Sequence, residues 1–116
     1  MSSRQLSGDL ISDRYASALY ALSLESKNVE IILKDLEFLK NCIKDNKDLK
    51  LLIKSPLIAS SDKLVIFEKI LFNKNADKLT INFLKVISKN KRFAKLPLII
   101  SEFININSQK RGVVLA

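Results

Sequence analysis

The sequence has no histidine and no tryptophan, and its 116 residues include only two glycines, two prolines, one cysteine and one methionine. Each scarcity removes a class of function. Without histidine, the usual general base near neutral pH, the commonest metal ligand and every histidine-containing nucleophile triad are excluded together. The glycines, Gly8 and Gly112, sit near opposite ends. No glycine-rich loop can therefore bring backbone amides around a phosphate, as P-loop and dinucleotide-binding folds require. The lone Cys42 has no partner for an internal disulfide and reads as a small apolar helix residue rather than a reactive thiol, which suits a reducing compartment. No apolar run approaches the ~20 residues of a membrane-spanning helix. The start, MSSRQLSGDL, has neither a signal peptide's apolar core nor a transit peptide's arginines.

Apolar residues are plentiful, at 47% of the chain, and evenly spread. With so few breakers, that composition predicts a folded chain, and the length suits one domain around a single core. The formal net charge is +8, from 20 Lys and Arg against 12 Asp and Glu. Such a charge favours nucleic acid, anionic lipid or acidic protein as a partner. Its distribution is uneven. Residues 27–54 interleave seven lysines with five acids, whereas Lys85, Lys89, Lys91, Arg92 and Lys95 follow one another with no carboxylate between them.

Projected at about 100° per residue, the apolar positions fall into helical stripes almost throughout. Six helices are expected, over roughly 9–25, 28–46, 47–54, 60–72, 77–90 and 97–111. Ser7 or Asp9 can cap the first, Asn28 the second, Ser60 or Ser61 the fourth and Asp77 the fifth. Pro56 ends the third by restricting Ser55, and Pro97 suits the first turn of the sixth. No stretch alternates with period two over a strand's length. The expected fold is all-α, a six-helix bundle. The final run, Gly112-Val113-Val114-Leu115-Ala116, is apolar and strand-like and stops without a partner.

Few features carry chemistry. The carboxylate pairs Asp35 with Glu37 and Asp45 with Asp48 lie among lysines and read as solvated helix surface. No catalytic residue, cofactor site or metal site is expected. The basic stretch KNKRFAK, with Phe93 as its one aromatic, raises a nucleic-acid reading based on Lys85 to Lys95, because phosphate binding needs clustered cations. Solvated lysines at a bundle corner are the plainer account. A surplus of apolar surface is more informative. The first helix has the stripe Ile11, Tyr15, Ala18, Leu19 and Leu22 and a second row of Ala16, Tyr20 and Leu24. The fifth has Leu79, Phe83 and Val86 on one side and Leu84 and Ile87 on another. A small bundle needs one apolar stripe per helix. A second means either a central place in the core or a groove that receives an amphipathic helix.

The motifs also resemble a known family. Arg14-Tyr15-Ala16 with Ala18-Leu19 and Leu22, Leu52 with Ser55-Pro56 and Lys63, NFLKVISKNKRF from Asn82 to Phe93, Leu96-Pro97, Ile100, Phe103 and Arg111-Gly112 run in order along nearly the whole chain. Together they resemble the δ subunit of bacterial F-type ATP synthase, a relative of the mitochondrial oligomycin-sensitivity-conferring protein. The resemblance implies a six-helix N-terminal domain over 1–111, with 112–116 beginning a connection to a C-terminal domain. It implies a non-catalytic stator in the peripheral stalk, which grips the N-terminal helix of an α subunit between its first and fifth helices and stops the catalytic head from rotating. Contact with the b subunits would belong to the C-terminal domain. Carried over by motif, Tyr15, Ala18 and Val86 would floor the groove, and Leu22, Leu79 and Phe83 join them by helical spacing. Neither nucleic acid nor direct membrane insertion is expected on this reading. The implied setting is the cytoplasmic side of a bacterial inner membrane, as part of the synthase.

Overall fold

A computed structural model describes residues 9–110. In chain order the helices are α1 (Leu10–Glu25), α2 (Val29–Asp45), α3 (Lys47–Lys54), α4 (Ser60–Lys74), α5 (Lys78–Lys89) and α6 (Leu96–Lys110), and a 3-10 turn at Phe93–Lys95 leads into α6. The described residues form six helices and no strand, in agreement with the all-α expectation. The strand-like run 112–116 and the alternative cap Ser7 lie outside the described residues.

Short polar side chains start three of the helices. Asp9 Oδ1 accepts from the amides of Ile11 (3.0 Å) and Ser12 (3.3 Å), Asn46 Oδ1 from Asp48 (2.9 Å) and Leu49 (3.1 Å), and Asp77 Oδ2 from Leu79 (2.9 Å). Each bond satisfies an amide that has no partner within its helix. Two expected caps differ. Asn28 precedes α2 but makes no side-chain cap bond, and α4 begins at Ser60 with Ala59 in the cap position, so neither serine caps it. The end of α4 also runs past Phe72 to Lys74, because the polar residues Asn73 and Lys74 stay helical until Asn75 turns left-handed.

Three helices end in the same way, and glycine scarcity shows in how they do it. Lys27, Asn75 and Lys91 have φ of 59°, 66° and 56°. After each, the chain bonds back into the last turn: Asn28 N–H to Ser23 O, Ala76 N–H to Leu71 O and Arg92 N–H to Ile87 O, each at 2.9 Å. This is the closure that glycine usually supplies, since a Cβ is crowded in the left-handed region. Here two lysines and an asparagine occupy it.

The bundle is built around α6, which lies along α1 and packs on α2, while α5 packs on α4 and α2. Leu96, Ile99, Ile100, Phe103 and Ile106 of α6 enter one core with Ala16, Leu19 and Tyr20 of α1 and Ile32, Leu36, Leu39 and Ile43 of α2. Tyr20 meets Phe103 edge-on at 5.3 Å and donates its hydroxyl to Asn107 Oδ1 at 3.2 Å, so its polar tip is satisfied inside. Lys63 is buried on α4, where its ammonium donates to Ile53 O (3.3 Å) and Ser55 O (2.8 Å) and ties off the end of α3.

Asp35 departs from expectation. It is 3% exposed rather than solvated. Its Oδ2 accepts from the Thr80 hydroxyl (2.7 Å) and from the amide of Asp77 (2.9 Å), and the ammonium of Lys74 stands 3.9 Å from Oδ1. A buried carboxylate is tolerable only with such partners. The first turn of α5 is thereby fixed to the middle of α2.

Two outcomes check these devices. Asp35→Ala strands the Thr80 hydroxyl and the Asp77 amide and should lower unfolding free energy by about 3 kcal/mol. An unchanged urea midpoint would contradict the tie. Lys27→Gly should raise stability by about 1 kcal/mol, because it removes the left-handed penalty at a position that already has that geometry. A loss of stability would mean that the Lys27 side chain contributes more than its backbone strain costs.

Candidate functional site

Helical phase divides α1 into faces. Ser12, Ala16, Leu19, Tyr20 and Ser23 are buried, and about 100° away around the axis Ile11, Tyr15, Ala18 and Leu22 form a second strip. On α5, Thr80, Phe83, Leu84, Ile87 and Ser88 are buried, while Leu79 and Val86 lie at the edge of that face. The two helices have different principal supports, α6 for α1 and α4 for α5. Tyr15 joins them. Its ring meets Phe83 edge-on at 6.3 Å and 74°, and its hydroxyl accepts from Asn90 Nδ2 at 2.7 Å.

Of the six positions singled out from the sequence, Tyr15 and Phe83 are in ring contact, and the six lie at different depths. Phe83 is the floor at 7% exposed and belongs to the core cluster. Tyr15 and Leu79 are half-buried and pack against that core. Ala18 is exposed, and Leu22 and Val86 are each 46% exposed. The motif placed Tyr15, Ala18 and Val86 on the floor. In the structure Ala18 and Val86 are exposed, where they would form the lips of such a groove, and Phe83, added only by spacing, is buried. Beside the Tyr15–Phe83 contact, Ala18, Leu22 and Val86 thus leave an apolar strip open to solvent on the outer faces of α1 and α5.

The other flank of α1 has its own hollow, of about 490 Å³, between Ser17, Tyr20, Ala21 and Leu24 of α1 and Ile106 and Gln109 of α6. In the second apolar row, Ala16 and Tyr20 are core residues and Leu24 is left exposed beside this hollow.

The basic stretch provides no stacking platform. Phe93 is 1% exposed and lies parallel to Phe67 at 5.4 Å, within the core. Lys95 donates to Asp9 Oδ2 at 2.6 Å, joining the start of α1 to the start of α6, and that hydrogen bond holds the Asp9 carboxyl below its ordinary range despite some opposing burial. Lys85, Lys89 and Lys91 remain exposed. Burial pushes the Cys42 thiol up, and the charge of Asp45 adds to that, so the thiolate needed for reactivity is disfavoured. Among the described residues no group of three His, Cys, Asp or Glu is placed to hold a metal ion.

Comparison with known proteins supplies the family. The family model described as ATP synthase delta (OSCP) subunit matches residues 11–116. This chain belongs to that family. Curated proteins named ATP synthase subunit delta are similar over most of this chain. That of Brucella anthropi is 36% identical over 106 residues, covering 91% of this chain and 57% of the relative, and that of Rhizobium rhizogenes is 33% identical over 114 residues, covering 98% and 60%. The chain therefore spans little more than half the length of these relatives. A chain of the Toxoplasma gondii mitochondrial ATP synthase hexamer, solved by electron cryomicroscopy, superimposes with a TM-score of 0.76 at 29% identity, covering 82% of this chain and 53% of that one. Delta subunits are structural stalk subunits and are not themselves catalytic. No helix among the described residues is long and apolar enough to cross a membrane.

Depth within the strip predicts which positions serve the fold. Phe83→Ala should cost about 3 kcal/mol of stability, whereas Leu22→Ala and Val86→Ala should each stay within about 1 kcal/mol. Urea unfolding decides it, and comparable losses at all three positions would mean that the lips are core.

Proposed function

We propose that this domain is the head-gripping end of a rotary ATP synthase stator, and that the strip between α1 and α5 holds the N-terminal helix of an α subunit of the catalytic head. One observation carries the reading. Tyr15 reaches from α1 to both Phe83 and Asn90 of the α5 region, beside the exposed Ala18, Leu22 and Val86, which supports a shared apolar strip on these two helices. An amphipathic helix presents side chains at i, i+3, i+4 and i+7, which suits such a strip. The function also calls for apolar burial. A stator bears the torque of the rotor, so its grip must dissociate slowly, and exposed ion pairs contribute too little to achieve that.

On this proposal the domain keeps the head from turning while ions drive the membrane ring, and it works peripherally on the cytoplasmic side of a bacterial inner membrane. Contact with the b subunits would belong to the length that the curated relatives have outside the matched span. The nucleic-acid reading of Lys85 to Lys95 loses its aromatic to the core and one cation to Asp9.

A synthetic peptide of an α subunit's amphipathic N-terminus should bind the domain. Val86→Asp or Tyr15→Asp should weaken binding at least tenfold while circular dichroism stays helical, since each places a charge in the buried contact. Unchanged affinity in both variants would refute the groove. Affinity for generic duplex DNA that falls steeply with salt would favour the nucleic-acid reading instead.

A further inference from the structure

The rim of the α1/α5 strip has a sign. α5 has three lysines, Lys78, Lys85 and Lys89, and no carboxylate in its twelve residues. Starting from Leu79 and Val86, successive positions round the outer side of the helix are Asn82 and Lys89, then Lys78 and Lys85, all of them exposed. On α1, Arg14 and Glu25 stand at the outer edge of the Ala18 and Leu22 strip, also exposed. The outer sides of the two helices thus carry four cations, three on α5 and Arg14 on α1, against one carboxylate, Glu25. None of the four forms an ion pair among the described residues, whereas Lys74 and Lys95, elsewhere in the bundle, are matched with Asp35 and Asp9.

We infer that the strip selects a helix whose apolar stripe is flanked by Asp or Glu on the edge lying along α5, and that Arg14, Lys78, Lys85 and Lys89 act mainly on the rate of capture. The inference rests on the groove reading above and adds the chemistry of the partner. The energetics divide the work between lips and rim. Exposed ion pairs add little to affinity once formed. A cluster of one sign nevertheless draws an oppositely charged partner in and accelerates association, until salt screens it at a Debye length of about 10 Å in 0.1 M salt. Burial of Ala18, Leu22 and Val86 then sets how slowly the partner leaves. The same field repels helices flanked by Lys or Arg, so the rim also discriminates between amphipathic helices with equivalent stripes.

Two synthetic helical peptides test this, identical in a Leu and Ile stripe and differing in whether the flanking positions are Glu or Gln. Their association and dissociation rates with this domain are measured by stopped-flow fluorescence at low salt, about 20 mM, and at about 300 mM, where screening is strong. The Glu peptide should associate about tenfold faster at low salt and within about twofold at high salt, with similar dissociation rates. In the double variant Lys85→Glu, Lys89→Glu the advantage should vanish or reverse, with circular dichroism unchanged. Equal association of the two peptides at both salts, untouched by the double variant, would overturn the charge selection and leave the groove standing. Failure of both peptides to bind, or binding that survives Val86→Asp, would overturn the groove reading itself.

Discussion

Asp35 lies inside the bundle on α2, and both groups that donate to its Oδ2 come from the beginning of α5. A carboxylate held this way fixes the axial position of α5, through the Asp77 amide, and its rotation, through Thr80. Rotation is what the candidate site needs. With Thr80 turned towards α2, Phe83, Leu84 and Ile87 face the core and Leu79 and Val86 come to the edge beside α1. A helix turned by one position, about 100°, would exchange lip and floor residues. The apolar core alone holds α5 loosely in this respect, because it has apolar side chains on more than one face. A directional bond in a low-dielectric interior removes that freedom.

The second half of the site is mounted separately. α1 lies along α6, with Tyr20 locked to Phe103 and Asn107 and with Asp9 joined to Lys95. α5 is held by α4 and α2. The two helices share α2 but differ in their principal supports, and the Tyr15 side chain links them. A partner helix laid there would touch both supports at once. Under the proposed stator role, this would spread the load over the bundle instead of over one helix. On the proposed reading the apolar lips would set slow release and the cationic rim fast capture, so grip and selection would rest on different residues.

Much of this was legible in the sequence because helical period and core burial obey the same geometry. Ile32, Leu36, Leu39 and Ile43 recur at helical spacing and are buried together, and Asp9 and Asp77 cap where short acids precede apolar runs. The spare strips of α1 and α5 were legible from phase for the same reason. Depth was not, since phase gives direction only, and whether Phe83 or Val86 lies lower depends on how closely α1 approaches. Asp35 was misread because its neighbours Lys34 and Glu37 suggest a wet surface. Its decisive partner Thr80 is 45 residues away and enters only through tertiary packing. The left-handed ends at Lys27 and Lys91 carry no sequence signal, as lysine is used there in place of glycine. Phe93 looked available beside five cations, but the stack with Phe67 claims it.

The most direct test of the groove is an NMR titration of the labelled domain with the α-subunit peptide, following every backbone amide. Bound peptide should shift the resonances of Tyr15, Ala18 and Leu22 on α1 and of Leu79, Phe83 and Val86 on α5, with intermolecular contacts from peptide methyl groups to Leu22 and Val86. Shifts centred on Leu24, Ile106 and Gln109, in the hollow between α1 and α6, with α5 undisturbed, would place the partner on the opposite flank and contradict the account.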